Sequence, residues 1–382
     1  MTGPDLVERV RDRLAAGGGR LESVLRHESG EIADDRAFAD LRREVAAELI
    51  GAGPLEPLLA LDGVTDVLVN APDSVWIDRG RGMERVAVSF ADEAAVRRLA
   101  QRLAASAGRR IDDASPYVDA TLADGTRLHA VLPPVTKATT LSLRVLARRR
   151  LTLDELTARG TVPEAIAELL RCILSARLAF VLTGGTGSGK TTLLAALLGL
   201  VPQHERVIVI EDAPELLVDH PHFVRLVARP PNVEGAGAIG LRELVRQSLR
   251  MRPDRLVVGE FRGAEVIELL VALNTGHEGG AATLHANSAA DVPARFAALG
   301  ALAGLGEPAV ASLVASAIDL VIHLQRRDAR RDVVEVALLS WTSGGLQAVP
   351  VWSAAGGAGA GLDTLAARLL ARGVELPSGA LW

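Results

Sequence analysis

The stretch from Leu182 to Leu194, Leu-Thr-Gly-Gly-Thr-Gly-Ser-Gly-Lys-Thr-Thr-Leu-Leu, constrains this chain more than any other. It carries G-x-x-x-x-G-K-[ST] without a mismatch. An apolar run before it (178–182) reads as a buried parallel strand, and one after it (191–199) reads as a helix. Glycines let the backbone wrap closely around a diphosphate, while loop N–H groups and the helix N-terminus supply partial positive charge. Gly184, Gly185, Thr186, Gly187, Ser188, Gly189, Lys190, Thr191 and Thr192 are therefore candidates to hold a nucleotide, ATP with Mg2+. In such a loop Lys190 bridges the β- and γ-phosphates and the Thr191 hydroxyl holds the metal. The chain has only two lysines, Lys137 and Lys190, and every other strong base is arginine. A compact ammonium fits a phosphate cradle where a planar guanidinium does not. The bland alternative is an accidental glycine turn, and the acidic strand ends that follow in order argue against it.

Residues 206–210 form an apolar strand that ends in Glu211 and Asp212, with Glu215 shortly after. In a parallel sheet with a phosphate loop, carboxyl ends of strands face the ligand crevice. Glu211 is thus a candidate to polarise an attacking water, with a plain helix cap weighing about as much. Arg255-Leu-Val-Val-Gly-Glu260 follows the Walker B logic, in which a buried strand presents an oxygen to hydrated Mg2+. Gly259 stands there in place of the usual aspartate. A further strand, 281–284, ends at His285, which could sense or polarise a γ-phosphate; a lone histidine is more often structural. His220 and His222 read as a loop, with no further metal ligand beside them. Ser343-Gly-Gly-Leu-Gln347 faintly matches the ABC-transporter signature, but it carries an extra residue and follows the Walker B strand instead of preceding it.

Length and composition set the frame. The 382 residues allow two domains with a helical appendage, and a core with 3% aromatics must be built from Ala, Leu and Val. A net charge of −5 and the lack of aromatic stacking platforms predict no direct nucleic-acid binding. The lone Cys172 excludes an internal disulfide and fits a reducing compartment. No run reaches the roughly 18 apolar residues of a membrane span, and the N-terminus lacks an apolar signal core. The expectation is a cytoplasmic protein docking at the inner face of the membrane through partners. The pattern divides into an N-terminal helical extension (1–50) and an α+β domain (51–148). A linker (149–162) follows, with Arg148-Arg-Arg150 read as a solvated hinge. A domain of alternating strands and helices (163–340), opened by Pro163, comes next, then a tail with one helix (341–382).

Assembled, these motifs resemble the secretion ATPases of the type II/IV secretion superfamily, and more narrowly the branch that powers Tad (Flp) pilus assembly, also described as conjugal-transfer-associated ATPases. The resemblance spans roughly residues 50–340. It is carried by Gly53-Pro-Leu-Glu-Pro-Leu-Leu59, Val64-Thr-Asp-Val-Leu-Val-Asn70, Gly108-Arg-Arg-Ile-Asp112, Asp124-Gly-Thr-Arg127 with Pro133-Pro134, and the phosphate loop. It continues through Ile210-Glu-Asp-Ala-Pro-Glu-Leu216, Arg229-Pro-Pro-Asn-Val-Glu234, the strand ending at Glu260, Asn274-Thr-Gly-His277 and Thr283-Leu-His-Ala-Asn287. It implies an α/β fold: a RecA-like P-loop NTPase domain preceded by a smaller α+β domain, in a homo-hexameric ring with ATP between the domains. It also implies that Glu211 and Glu260 are the acidic pair, with Glu260 on Mg2+ partly through water and Glu211 activating the water. His285 joins them. Arg127, Arg144 and Arg262 are the arginines expected to reach the phosphates, with Arg252 also flanking the Walker B strand. Implied partners are inner-membrane platform proteins of a pilus or secretion machine. A conjugative DNA-transfer motor is the alternative; an ATP-gated regulatory factor is a third reading, against which the intact Lys190, Glu211, Glu260 and His285 count.

Overall fold

The computed structural model describes residues 4–17, 19–29, 34–80, 82–145, 150–232, 235–327 and 330–376. Arg148 and Arg149 of the expected hinge, and Val233 and Glu234 of the 229–234 motif, lie outside the described residues. The chain divides into two compact units, Met1–Ala147 and Arg148–Trp382. No helix among the described residues is long and apolar enough to cross a membrane.

In the first unit, α1 (Pro4–Ala15), α2 (Leu21–Ser29) and α3 (Asp35–Leu49) close around a small core of their own that includes Val10, Leu25, Phe38 and Val45. Asp34 caps α3 by accepting from the Arg36 N–H. After the short α4 (Glu56–Leu59), six strands form an antiparallel sheet in the order β3-β2-β1-β6-β5-β4. They are β1 (Asp66–Ala71), β2 (Ser74–Asp78), β3 (Met83–Val86), β4 (Tyr117–Thr121), β5 (Arg127–Val131) and β6 (Thr140–Arg144). Alternate residues, Val67 and Val69, Leu128 and Ala130, Leu141 and Leu143, turn to one face. That face meets α5 (Glu93–Ser106), which offers Val96, Leu99, Ala100, Leu103 and Ala104 at helical spacing. Asp92 caps α5 by accepting from the Ala95 N–H.

The second unit is a nine-stranded sheet in the order β15-β14-β13-β12-β7-β11-β10-β8-β9, covered on both faces. Its parallel part comprises β7 (Phe180–Thr183), β8 (Val207–Glu211), β9 (Phe223–Val227), β10 (Arg255–Val258), β11 (Ala281–Leu284) and β12 (Leu320–Arg327). Four of these, β7, β8, β10 and β11, are buried end to end, which is why they read as continuous apolar runs. One face holds α6 (Leu153–Ala158), α7 (Glu164–Ser175), α8 (Lys190–Leu198) and the later α13 (Leu362–Ala371). The other holds α9 (Leu241–Ser248), α10 (Glu265–Leu273), α11 (Val292–Leu302) and α12 (Glu307–Ala317). The order places β11 between the phosphate-loop strand β7 and the Walker B strand β10, the arrangement of RecA-like folds.

Several expectations change here. The stretch read as a linker holds α6, whose Leu153 and Leu156 are buried in the core. A capping box starts it: the Thr152 hydroxyl accepts from the Glu155 N–H and the Glu155 carboxylate accepts from the Thr152 N–H. Pro163 occupies the N-cap of α7, one residue before the first turn. Beyond residue 340 the sheet continues antiparallel through β13 (Arg330–Thr342), β14 (Gly345–Ser353) and β15 (Gly357–Ala358). Leu362, Leu365 and Leu369 of α13 then return to the same core.

At the amino end of β10, Arg255 is only 1% exposed. Its Nε donates to Glu205 Oε2 at 2.6 Å and its Nη2 to the Leu174 carbonyl at 2.9 Å, while Arg177 Nη2 donates to Glu205 Oε1 at 2.7 Å. Burial pushes the Glu205 carboxyl up, but the hydrogen bonds from Arg255 and Arg177 outweigh it and hold it below its ordinary value. That stabilisation is present above the unfolded pKa and is lost as pH falls through the folded one. Glu205→Ala strands a buried guanidinium and should cost about 3–5 kcal/mol. Thermal melting should fall by roughly 10 °C; a melt within about 2 °C of wild type would contradict this reading.

Candidate functional site

The site is built on the carboxyl ends of β7, β10 and β11. β7 ends at Thr183 and the chain enters the phosphate loop at Gly184, whose φ of 146° favours glycine. A Cβ at Gly184 would run into the Leu324 carbonyl of β12, so the loop lies tightly on that strand. α8 then starts at Lys190 with Gly189 at its N-cap and no side chain capping it, which leaves the first N–H groups directed into the loop. Lys190 is 7% exposed, and its Nζ donates to the carbonyls of Gly184 and Gly185 at 2.9 Å each. Burial lowers its pKa, opposed by the fields of Glu260 and then Glu215. Ser188 Oγ is buried in the loop without a hydrogen-bond partner, whereas Gly185, Thr186 and Gly187 are open to solvent. An orphaned hydroxyl beside the uncapped N-terminus of α8 is a fit for a phosphate oxygen. Thr191 and Thr192 follow, half-buried on the first turn of α8.

β10 runs into Gly259 and Glu260, and β11 into His285. Glu260 Oε1 lies 2.7 Å from His285 Nε2, and its Oε2 accepts from Arg262 Nε. The Arg262 pKa rises because the Glu260 hydrogen bond and the Glu260, Asp212 and Glu215 charges outweigh its burial. Thr283 Oγ1 donates to the Gly259 carbonyl at 2.6 Å, fastening the two strand ends together. Glu260, His285 and Arg262 therefore form one contiguous group, with Lys190 within reach of its field.

Glu211 differs. It is 3% exposed, and its Oε1 accepts from the N–H groups of Glu215 and Leu216 at 2.9 Å each. Its Oε2 lies 3.0 Å from Arg225 Nε, an ion pair whose angles are too poor for a hydrogen bond. Burial raises the Glu211 pKa, and the two backbone donors and Arg225 only partly offset it. This carboxylate pins the turn after β8. Gly259 follows from the same packing: a Cβ there would meet Glu211 Cγ at 2.9 Å. The residue that departs from the Walker B pattern leaves room for the neighbouring glutamate.

Arg127 and Arg144 belong to the first unit, where they face each other across β5 and β6. Arg144 Nε donates to Asp66 Oδ1 at 3.0 Å. Arg252 takes a left-handed φ of 54° just before β10.

Glu215, noted in the sequence only as the acid after Glu211 and Asp212, acts on Lys190 through its charge. Other groups at the site carry no sequence mark. Arg331 Nε, on β13, donates to the Gly187 carbonyl at 2.9 Å and ties the loop tip to the β12–β13 hairpin. A cleft of about 500 Å³ opens beside the loop, lined by Gly185, Thr186, Ser188, Asn287, His323 and Arg326 among others. His323 Nδ1 lies 2.9 Å from Thr183 Oγ1. The arginine-rich run shared by the end of β12 and the start of β13 is the available signal for the hairpin; nothing local marks His323.

Residues 48–351 match the family model of type II/IV secretion system proteins. A putative conjugal transfer protein of Mycobacterium tuberculosis is 57% identical over 331 residues, covering 85% of this chain and 94% of its own. The type IV secretion system protein PtlH of Bordetella pertussis is 33% identical over 325 residues, 77% of this chain and 94% of that relative. Among solved structures, the Legionella pneumophila ATPase DotB has the same fold, with a TM-score of 0.52 at 19% identity over 82% of this chain and 84% of that one. With its phosphate loop and acidic strand ends in place, this chain belongs to the type II/IV secretion system protein family.

Proposed function

We propose that the chain is the ATP-hydrolysing subunit of a homo-hexameric motor that powers assembly of a Tad/Flp-type pilus or a related secretion machine. One observation carries the reading: Glu260, held by His285 at 2.7 Å, projects its charge onto the buried Lys190 of the phosphate loop. A carboxylate just past the end of β10 and an ammonium at the start of α8, acting on each other through their charges, suit phosphoryl transfer to water.

In this scheme the loop N–H groups, Ser188 and Lys190 bind the β- and γ-phosphates. The Thr191 hydroxyl and Glu260 would hold Mg2+, which when bound would neutralise charge on the phosphate oxygens. Glu260 orients the attacking water, and His285 and Arg262 hold that carboxylate in place. The water oxygen bonds to the γ-phosphorus as the bond to the β,γ-bridging oxygen breaks, giving ADP and phosphate. Glu211, expected from the family resemblance to activate the water, instead positions the turn after β8. Arg127 and Arg144 supply further cations to the phosphates in the assembled ring, and domain movement couples hydrolysis to work. The motor docks at the inner face of the membrane through platform proteins. A conjugative transfer machine is the second reading, favoured by the 57% identical relative, a putative conjugal transfer protein. Pilin-like and platform genes beside this one would support the first, and a relaxase gene the second.

Purified chain should hydrolyse ATP with Mg2+, with turnover per subunit rising with protein concentration and a mass six times 40.1 kDa. Turnover that is independent of concentration in a monomer would overturn the ring.

A further inference from the structure

His323 has no part in that scheme, yet it is a buried ionisable side chain against the phosphate-loop strand. It is 5% exposed and sits on β12, in register with Thr183 of β7 on one side and with Glu335 of β13 on the other. Its Nδ1 lies 2.9 Å from Thr183 Oγ1, and the ring also hydrogen-bonds to the backbone of Asn287. Burial lowers the ring's pKa, opposed by the Asn287 bond and the Asp291 charge, with Lys190 adding to the lowering. The ring is therefore neutral near pH 7, with one nitrogen donating and the other accepting. The Asn287 bond favours the protonated ring, so the ring donates to the Asn287 carbonyl, while Nδ1 shares a hydrogen bond with the Thr183 hydroxyl.

The place of this bridge gives it meaning. The β7–β11 ladder ends at the pair Leu284 and Thr183. Beyond it, one chain becomes the phosphate loop and the other carries His285 and Asn287. Past that fork no ladder bond holds His285 in register with the loop, and the His323 ring spans the gap. A second tether stands one step along, where the Ala289 backbone hydrogen-bonds to the Glu335 carboxylate.

We propose that His323 is a positioning residue for ATP hydrolysis: through Thr183 and Asn287 it fixes the His285-bearing segment against the start of the phosphate loop. This rests on the ATPase reading above. Loosening the segment disturbs the His285–Glu260 contact while the loop N–H groups still bind phosphate, so the loss falls on kcat.

The test uses full-length chain carrying His323→Leu, His323→Asn, Thr183→Val, or His323→Leu with Thr183→Val. Each of the Leu and Val variants should lower kcat by about tenfold and leave KM for ATP within about twofold. The double variant should be no worse than the poorer single one, because the two residues act as a unit. His323→Asn, which keeps a donor and an acceptor, should recover most of the rate. If His323→Leu does not fold, Thr183→Val, which removes only a hydroxyl, decides together with His323→Asn. Wild-type kcat in Thr183→Val, or losses that multiply in the double variant, would overturn the proposal while leaving the ATPase reading intact. A wild-type chain that hydrolyses no ATP would overturn both.

Discussion

Lys190→Ala should abolish ATP turnover, lowering it by about a thousandfold or more while the protein stays folded. The ammonium is held inside the loop by two carbonyls, those of Gly184 and Gly185, and keeps a third donor. That donor is the one available to a γ-phosphate oxygen as charge develops there. Alanine removes it and leaves two loop carbonyls to water, which already reaches Gly185. Folding should survive, because burial of the ammonium is itself unfavourable, as its lowered pKa records. Lys190→Arg should not rescue: the planar guanidinium is larger than the cradle that closes on Lys190, a residue only 7% exposed. Phosphate release and thermal melting on the same preparations check both statements. Turnover within about tenfold of wild type would remove Lys190 from the mechanism.

What the sequence revealed and what it hid separate along a physical line. The phosphate loop, the apolar runs of β8 and β10 and the crossover helices are local patterns, set by spacing within a dozen or so residues. They mark Lys190 in the loop and Glu260 and His285 at the ends of apolar strands, without saying which strands are neighbours. α6 was also legible, since Thr152 and Glu155 spell a capping box, but the basic run beside it suggested a hinge. The remainder depended on pairs distant in sequence. Thr183 and His323 are 140 residues apart, and Arg255 meets Glu205 across 50. Gly259 looked like a defect in the Walker B strand until Glu211 was seen lying over it. Strand-end position alone gave Glu211 and Glu260 similar standing; only their hydrogen bonds tell them apart.

That difference makes an opposed pair of outcomes. Glu260→Gln should lower kcat by about 10²–10³-fold with ATP still bound, since the amide cannot take a proton from water yet fills the same space. Glu211→Gln should cost less than about tenfold. The amide oxygen still accepts from the Glu215 and Leu216 N–H groups, so the turn after β8 keeps its anchor. Stability gives a second, independent readout. A buried carboxyl whose folded pKa is raised above 4.5 carries a penalty that appears as pH rises through the unfolded value and is complete above the folded one. At pH 7 Glu211 therefore costs stability, less whatever Arg225 returns, and Arg225 remains partly open to water. Glu211→Gln should melt at or slightly above wild type at pH 7, and the difference should vanish as pH falls toward 4.5. Were Glu211→Gln instead the inactive variant and Glu260→Gln the active one, the water would belong to Glu211 and the roles proposed here would be exchanged.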